Sequence, residues 1–382
     1  MKRTILKQSA MLCSIIFAAI LCCNCEDVRP GYGSSIDDAE IMQGTFDPNE
    51  ESELPEITTE LLETAGATEL MKSKAEEYRL SSTLADGRLR SGVYVYSKSV
   101  EKYAGNPARL AARIALLGFR DVYLSPDKQR IQNADPWLRQ FVAACSGYGI
   151  KTYAIRISTN DIYVNPVVVD NDVNLVKSYN SAVNPDERFA GIAADLEAHT
   201  CKGDSHPAGL QYTWDSTTNY GKGGDNDKLL QITIDRMKQA ASSLKPILGL
   251  NEAIFYNYQI YFDDAKLTYG SVPDFLGSCD WVIVMAYLNR KEDVWGRSEP
   301  SIKAAWSDRE DGMRRQKSVS ICVKTAVNDA DSSTLQPEGW NYLLETLDYV
   351  KSRGLEYDSF RGIDMFTYEG LETMWEWQND KN

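Results

Sequence analysis

Residues Phe189 to His199 read FAGIAADLEAH, a short apolar run that closes on Asp195, Glu197 and His199 at every second position. Side chains of a β-strand alternate between faces, so these three groups share one side while Ala194, Leu196 and Ala198 take the other. The spacing sets two carboxyl groups together at a strand end. Such neighbours push each other's pKa values apart, so that one acts as an acid while the other stays charged, which is what breaking a glycosidic bond requires. The bland alternative is an Asp and a Glu in a solvated strand-to-loop junction.

Seven further runs read as strands around it: Ser91 to Ser97, Asp121 to Ser125, Lys151 to Ile157, Ile247 to Phe255, Trp281 to Tyr287, Ser318 to Ala326 and Gly362 to Tyr368. Helical patterns lie between them, at Asn106 to Leu117, Trp137 to Tyr148, Asp227 to Leu244 and Trp340 to Arg353. Asn106 followed by Pro107 is a helix start, and Gly118 and Gly354 are stops. Eight strands alternating with helices predict an α/β chain folded as a (β/α)₈ TIM barrel over residues 88–382. The runner-up is an open doubly wound sheet, but no G-x-G-x-x-G follows the first strand. Active sites of such barrels lie at the C-terminal ends of the strands, where strand four carries Asp195 and Glu197.

The strand-four run resembles the catalytic strand of glycoside hydrolase family 18, the chitinase and endo-β-N-acetylglucosaminidase family, whose motif is D-G-x-D-x-D-x-E. Gly191, Ile192, Asp195 and Glu197 match it, whereas Ala190 and Ala193 stand where that family has its earlier aspartates. The looser family-18-like lipoproteins and barrels, which read G-I-x-x-D-x-E, are nearer. Met285-Ala286-Tyr287 on strand six matches the family's M-x-Y, with Leu288 in place of the aspartate that often follows. Strand eight ends on Tyr368 and Glu369 as in the looser barrels, with Phe366 or Thr367 where true chitinases have a tryptophan floor. The resemblance implies a retaining, substrate-assisted glycosidase for glycans containing N-acetylhexosamine, working without a cofactor. Glu197 is then the acid and base, Asp195 balances the charge of the substrate's acetamide, and Tyr287 hydrogen-bonds that group. A catalytically silent barrel that binds glycan at the cell surface is the alternative.

Other residues compete for roles. The long segment after strand four carries Tyr212, Trp214 and Tyr220, and the segment read as a loop after strand six carries Trp295 and Trp306. Such rings either stack on sugar faces or anchor their loops. Tyr96, Trp214, Glu252, Tyr256, Trp295, Tyr368 and Glu369 form the substrate-binding set. Glu369 also reads as a residue favouring the dipole of the helix that follows. Asn251-Glu252 resembles the acid/base pair of the large retaining-glycosidase clan, but that pair closes strand four and this one closes strand five. Asp195, Glu197, His199, Asp204 and His206 are a possible metal set, opposed by the divergence of i, i+2 strand ligands and by the metal-free family resembled. No metal is expected, and the absence of G-x-S-x-G leaves serine-nucleophile chemistry without support.

Hydrophobic residues make up 43% of the 382, ample for a core, and a net charge of −14 argues against nucleic acid, whose phosphates need clustered Lys and Arg. Residues 1–25 read as an export signal: Lys2, Arg3 and Lys7 start it, Met11 to Leu21 form an apolar core too short for a membrane span, and Cys22, Cys23 and Cys25 follow. Cys23 or Cys25 is the expected lipid attachment, giving an exported, membrane-anchored protein; simple cleavage is the alternative. Residues 26–87 read as an acidic tether ending in one helix over Ile57 to Tyr78. Cys145, Cys279 and Cys322 sit in apolar contexts that favour buried thiols, and none of the four cysteines beyond the signal forms a C-x-x-C.

Overall fold

The computed structural model describes residues 46–47, 54–84, 87–217, 223–310, 313–327 and 330–376. The export signal with Cys23 and Cys25, much of the acidic tether, and Tyr220 lie outside these residues. Eight parallel strands close into a barrel: β1 (Gly92–Val95), β2 (Asp121–Leu124), β3 (Lys151–Ile155), β4 (Gly191–Ala194), β5 (Gly249–Phe255), β6 (Trp281–Met285), β7 (Val319–Lys324) and β8 (Phe360–Phe366). Each pairs with its sequence neighbours and β8 returns to β1, the topology of a (β/α)₈ barrel.

Local signals explain the helices between strands. In Pro107–Leu116 the Asn106 side chain accepts the Arg109 N–H at 3.1 Å, and the helix buries Leu110, Ala111 and Ile114 before Gly118 turns the chain at a φ of 84°. In Pro136–Gly147 the Asp135 carboxylate accepts the N–H of Trp137 at 3.0 Å, and Phe141 and Cys145 face inward. Cys145, Cys201, Cys279 and Cys322 are all buried free thiols.

Four details differ from the sequence reading. Strand four stops at Ala194, because the Leu196 N–H is taken by the Glu252 carboxyl at 2.9 Å in place of a neighbouring carbonyl. The lead segment is two helices, Thr59–Ala65 and Glu69–Ser82, parted by Gly66 in a left-handed conformation and restarted by the Thr68 cap. Trp295 and Trp306 lie on the helix Lys291–Ser307, whose period is obscured in the sequence by Pro300 within it. Part of the tether also enters the fold. The Phe46 N–H donates to the Pro246 carbonyl at 2.9 Å, and the Phe46 ring lies 6.3 Å from Tyr153 and 6.4 Å from Trp281, closing the base of the barrel.

The barrel interior is filled unevenly. Tyr94, Tyr123, Tyr153 and Trp281 supply large buried rings, with Tyr94 and Tyr123 4.8 Å apart and Tyr153 edge-on to Trp281 at 5.2 Å. Between the strands that carry Tyr153 and Trp281, β4 and β5 present Gly191, Ala193 and Gly249. A Cβ on Gly191 would come within 2.1 Å of the Gly249 carbonyl oxygen, and one on Gly249 within 2.5 Å of the Phe46 ring. The lower interior holds charge. Asp121 pairs with Arg90 at 2.7 Å and Arg361 at 3.0 Å, all three side chains being at most 5% exposed, and Arg361 lies 4.1 Å from the Trp281 ring centre. Asp364 accepts the Gly92 N–H at 2.6 Å and the Tyr123 hydroxyl at 3.1 Å.

Burial alone would raise the Asp121 carboxyl, but Arg90 and Arg361 outweigh it and hold it at about 2. A depressed carboxyl adds stability that is complete above its unfolded value of about 3.9 and is lost as pH falls toward the folded one. Asp121→Asn is expected to cost about 3 to 5 kcal/mol at neutral pH by leaving two buried guanidiniums without their shared anion. Urea denaturation at pH 7 and near pH 3 checks this: the cost should shrink at the lower pH, and a variant as stable as the parent at pH 7 contradicts the assignment.

Candidate active site

Beyond β4 the chain is held by hydrogen bonds at almost every residue. Asp195 donates its N–H to the Ile157 carbonyl at 3.3 Å, Leu196 donates to Glu252, and His199 donates to the Tyr258 hydroxyl at 3.1 Å. Residues Ala198–Thr200 then make a tight turn, closed by Thr200 Oγ1 donating to the Glu197 carbonyl at 2.8 Å. Leu196 and Ala198 are buried, whereas Asp195, Glu197 and His199 are partly exposed. The alternation expected of a strand thus continues past the last ladder bond.

The two carboxyls differ because their surroundings differ. Asp195 is pushed up to about 6 by burial, and its Oδ1 is buried without a hydrogen-bond partner. Glu197 is pushed up to about 8, by burial first and by the Asp195 charge second, with Lys324 opposing. As a coupled pair they share one negative charge across the neutral range. His199 is driven down to about 4 by burial, with Lys202 adding to the effect, and so is neutral there. Its Nε2 lies 3.7 Å from Glu197 Oε1.

Aromatic rings surround the pair. Tyr96, at the end of β1, and Tyr287, just past β6, pack against Phe366 at 5.6 and 5.2 Å, and both phenols lie close enough to Asp195 and Glu197 to feel their charge. The Tyr287 hydroxyl lies near the buried Cys322 thiol. The Lys324 ammonium sits 5.1 Å from the Tyr287 ring and 5.6 Å from Phe366. Tyr256 is half-buried beside Phe255 at 4.7 Å, with the Arg297 guanidinium 5.9 Å from its ring.

The rest of the substrate-binding set lies elsewhere or does other work. Trp214 is 3% exposed, its ring packed 5.7 Å from Tyr258, so it anchors its loop. Trp295 is 8% exposed, with its ring 6.4 Å from Tyr357. Tyr368 is fully buried and gives its hydroxyl to Glu372 at 3.1 Å, in a cluster with Arg113. None of these three rings keeps a face open to a sugar. Glu369 is half-buried with Lys98 at 3.7 Å, and its Oε2 is buried without a partner.

Glu252 is placed by the alternation of β5. Gly249 faces Phe46 in the interior, so Glu252 faces the helix layer, and it is fully buried there. Burial lifts its carboxyl well above the usual range, against the pull of the Leu196 N–H. Its carboxyl, accepting the Leu196 N–H from that face, props the backbone between Asp195 and Glu197. The strand count and the facing both remove the rival acid/base reading of Asn251-Glu252. Among the described residues no group of three or more His, Cys, Asp or Glu could hold a metal ion. Lys324 and Tyr258 are site residues that the sequence reading missed, and Lys324 could have been found as the last residue of strand seven; of the two residues offered for the tryptophan floor, Phe366 is the one that packs against Tyr96 and Tyr287.

No family model matches the sequence, and neither does any curated protein. Solved structures similar to the chain include a GH18 chitinase from Pseudoalteromonas aurantia, at 13% identity over 75% of this chain and 98% of that one, with a TM-score of 0.48. A class V chitinase from Nicotiana tobaccum is 12% identical over 76% of this chain and all of its own, with a TM-score of 0.43. A chitinase from Bacteroides thetaiotaomicron is 10% identical over 77% of this chain and 99% of its own, with a TM-score of 0.42. Family 18 chitinases, the enzymes whose catalytic strand β4 resembles, are therefore among the solved structures to which this chain is similar.

Proposed function

We propose that the chain is a retaining, substrate-assisted glycoside hydrolase of N-acetylhexosamine-containing glycans. The observation that carries this reading is the pair just past β4: two partly exposed carboxyls two residues apart, ringed by Tyr96, Tyr287 and Phe366, with the proton affinity of Glu197 raised above that of Asp195. In the mechanism, Glu197 protonates the glycosidic oxygen as the bond to the anomeric carbon breaks. The acetamide carbonyl oxygen of the same sugar attacks that carbon from the other face. Asp195 balances the positive charge gathering on the acetamide, and Tyr287 hydrogen-bonds it. Glu197, now a carboxylate, takes a proton from water, which opens the cyclic intermediate with net retention.

Export and anchoring are a second proposal, resting on the sequence of residues 1–25 alone. The exported chain should partition into detergent and label with palmitate, and replacing Cys23 and Cys25 together by Ser should release it. Labelling that persists in the double variant places the lipid elsewhere.

Glu197→Gln removes the proton donor, so kcat on a chitobiose-type chromogenic substrate should fall by roughly 10² to 10⁴ while binding measured by calorimetry survives. Asp195→Asn should lose mainly kcat and bind a thiazoline inhibitor more weakly. A covalent fluorosugar adduct, or full activity in Glu197→Gln, defeats the mechanism. Binding of glycan without turnover by the parent chain identifies a silent glycan-binding barrel instead. Because Asp195 must be charged and Glu197 protonated, kcat/KM should rise with pH through about 6 and fall through about 8. A profile that keeps climbing beyond the second value excludes Glu197 as the acid.

A further inference from the structure

His199 lies beside the acid and takes no part in the mechanism above. Its surroundings fix it closely. The ring stacks on Phe255 with centroids 4.2 Å apart and planes 11° apart, and Tyr258 meets its edge. The Tyr258 oxygen accepts the His199 backbone N–H at 3.1 Å and lies 3.2 Å from His199 Nδ1. A phenol whose oxygen already accepts that N–H has its own proton to give, and Nδ1 is the acceptor in reach. A neutral imidazole that accepts at Nδ1 carries its proton on Nε2. That Nε2 lies 3.7 Å from Glu197 Oε1, a contact that must shorten to become a hydrogen bond, as catalytic contacts do when substrate binds.

We propose that His199 is a positioning residue for Glu197: Tyr258 locks its tautomer so that Nε2–H donates to Glu197 Oε1, leaving the acid's proton on the other oxygen, toward the bond to be cleaved. This rests on the glycosidase reading of the same site. The donor works in both halves of the cycle. While Glu197 is protonated, the contact selects which oxygen holds the proton. Once the proton has left for the glycosidic oxygen, the N–H stabilises the carboxylate that remains. The residue therefore lowers the proton affinity of an acid that burial alone would hold too tightly.

The titratable groups close enough to Glu197 to feel its charge are Asp195 beside it, Tyr96 from β1, Cys201 after the turn, Glu252 from the outer face of β5, Tyr258 from the helix Asn257–Asp263, Tyr287 past β6 and Lys324 from β7. His199 in turn faces Lys202. With His199 neutral from about 4 upward, its own titration lies outside the range in which Glu197 changes charge.

The test compares the full-length parent with His199→Phe, which keeps the ring stack and removes the donor, and His199→Gln, whose amide N–H can replace it. Two readouts are taken: kcat/KM against pH, and the ¹³C shift of the Glu197 carboxyl carbon, assigned by its loss in Glu197→Gln. The expected result for His199→Phe is a basic limb and a carboxyl titration both moved upward by about half a unit or more, with kcat reduced about tenfold and KM little changed. His199→Gln should recover most of both. A Glu197 carbon that titrates alike in the parent and the Phe variant overturns the proposal, as does a Gln variant no better than Phe. If His199→Phe does not fold, Tyr258→Phe releases the tautomer and should move the carbon titration the same way; no movement there overturns it equally. A parent chain that hydrolyses nothing sinks the glycosidase reading, while the carbon titration still decides whether His199 donates to Glu197.

Discussion

An eight-stranded barrel has an interior that side chains must fill without voids, and here they fill it lopsidedly. Tyr94, Tyr123, Tyr153 and Trp281 occupy most of the space, which forces β4 and β5 to contribute Gly191, Ala193 and Gly249. The wall that carries the acid pair is therefore the thinnest in side chains and lies closest to the aromatic packing. Asp195 and Glu197 stand on the upper lip of that packing, where a charge is poorly solvated, and their raised proton affinity follows from the way the core is filled.

The same filling explains how the pair is held in place. The backbone from Asp195 to Thr200 has left the sheet, yet its N–H groups are claimed by Ile157, Glu252 and Tyr258, each fixed by the barrel or by the layer outside it. A buried carboxyl at Glu252 and a buried phenol at Tyr258 replace a ladder that has run out of strand. Two side chains from β5 and the helix after it thereby set the position of three just beyond β4. Polar groups placed under a site in this way restrict it to one geometry, which is what acid catalysis at a fixed bond needs.

The parts legible in the sequence were those with a local cause. Asn106-Pro107 and Gly118 bound a helix through their own backbone chemistry, and the period of two in FAGIAADLEAH placed Asp195, Glu197 and His199 on one side. Aromatic roles were not legible, because a tryptophan that stacks on sugar and one that anchors a loop look the same in one dimension. Trp214, Trp295 and Tyr368 proved to be anchors once their neighbours Tyr258, Tyr357 and Glu372 were in place. Phe46 was hidden for the opposite reason: an isolated ring in an acidic stretch has no period, and its partners Tyr153 and Trp281 lie far along the chain. Lys324 and Asp121 likewise gain meaning only from partners on other strands.

The line where β8 meets β1 is built differently from the other seven. Its ladder registers one residue pair, Val93 with Met365, whereas β6 and β7 register four. The shortfall is made up by Arg90 donating its N–H to the Arg361 carbonyl, by Gly92 donating to the Asp364 carboxyl, and by Asp121 bridging two arginines below. Joining residue 90 to residue 361 closes the longest loop in the domain, so its entropic cost exceeds that of any other strand pairing. Seven seams of the barrel are fastened by backbone ladders, and the eighth borrows the buried carboxyls of Asp121 and Asp364, so that a substitution at either one acts on the closure of the whole barrel.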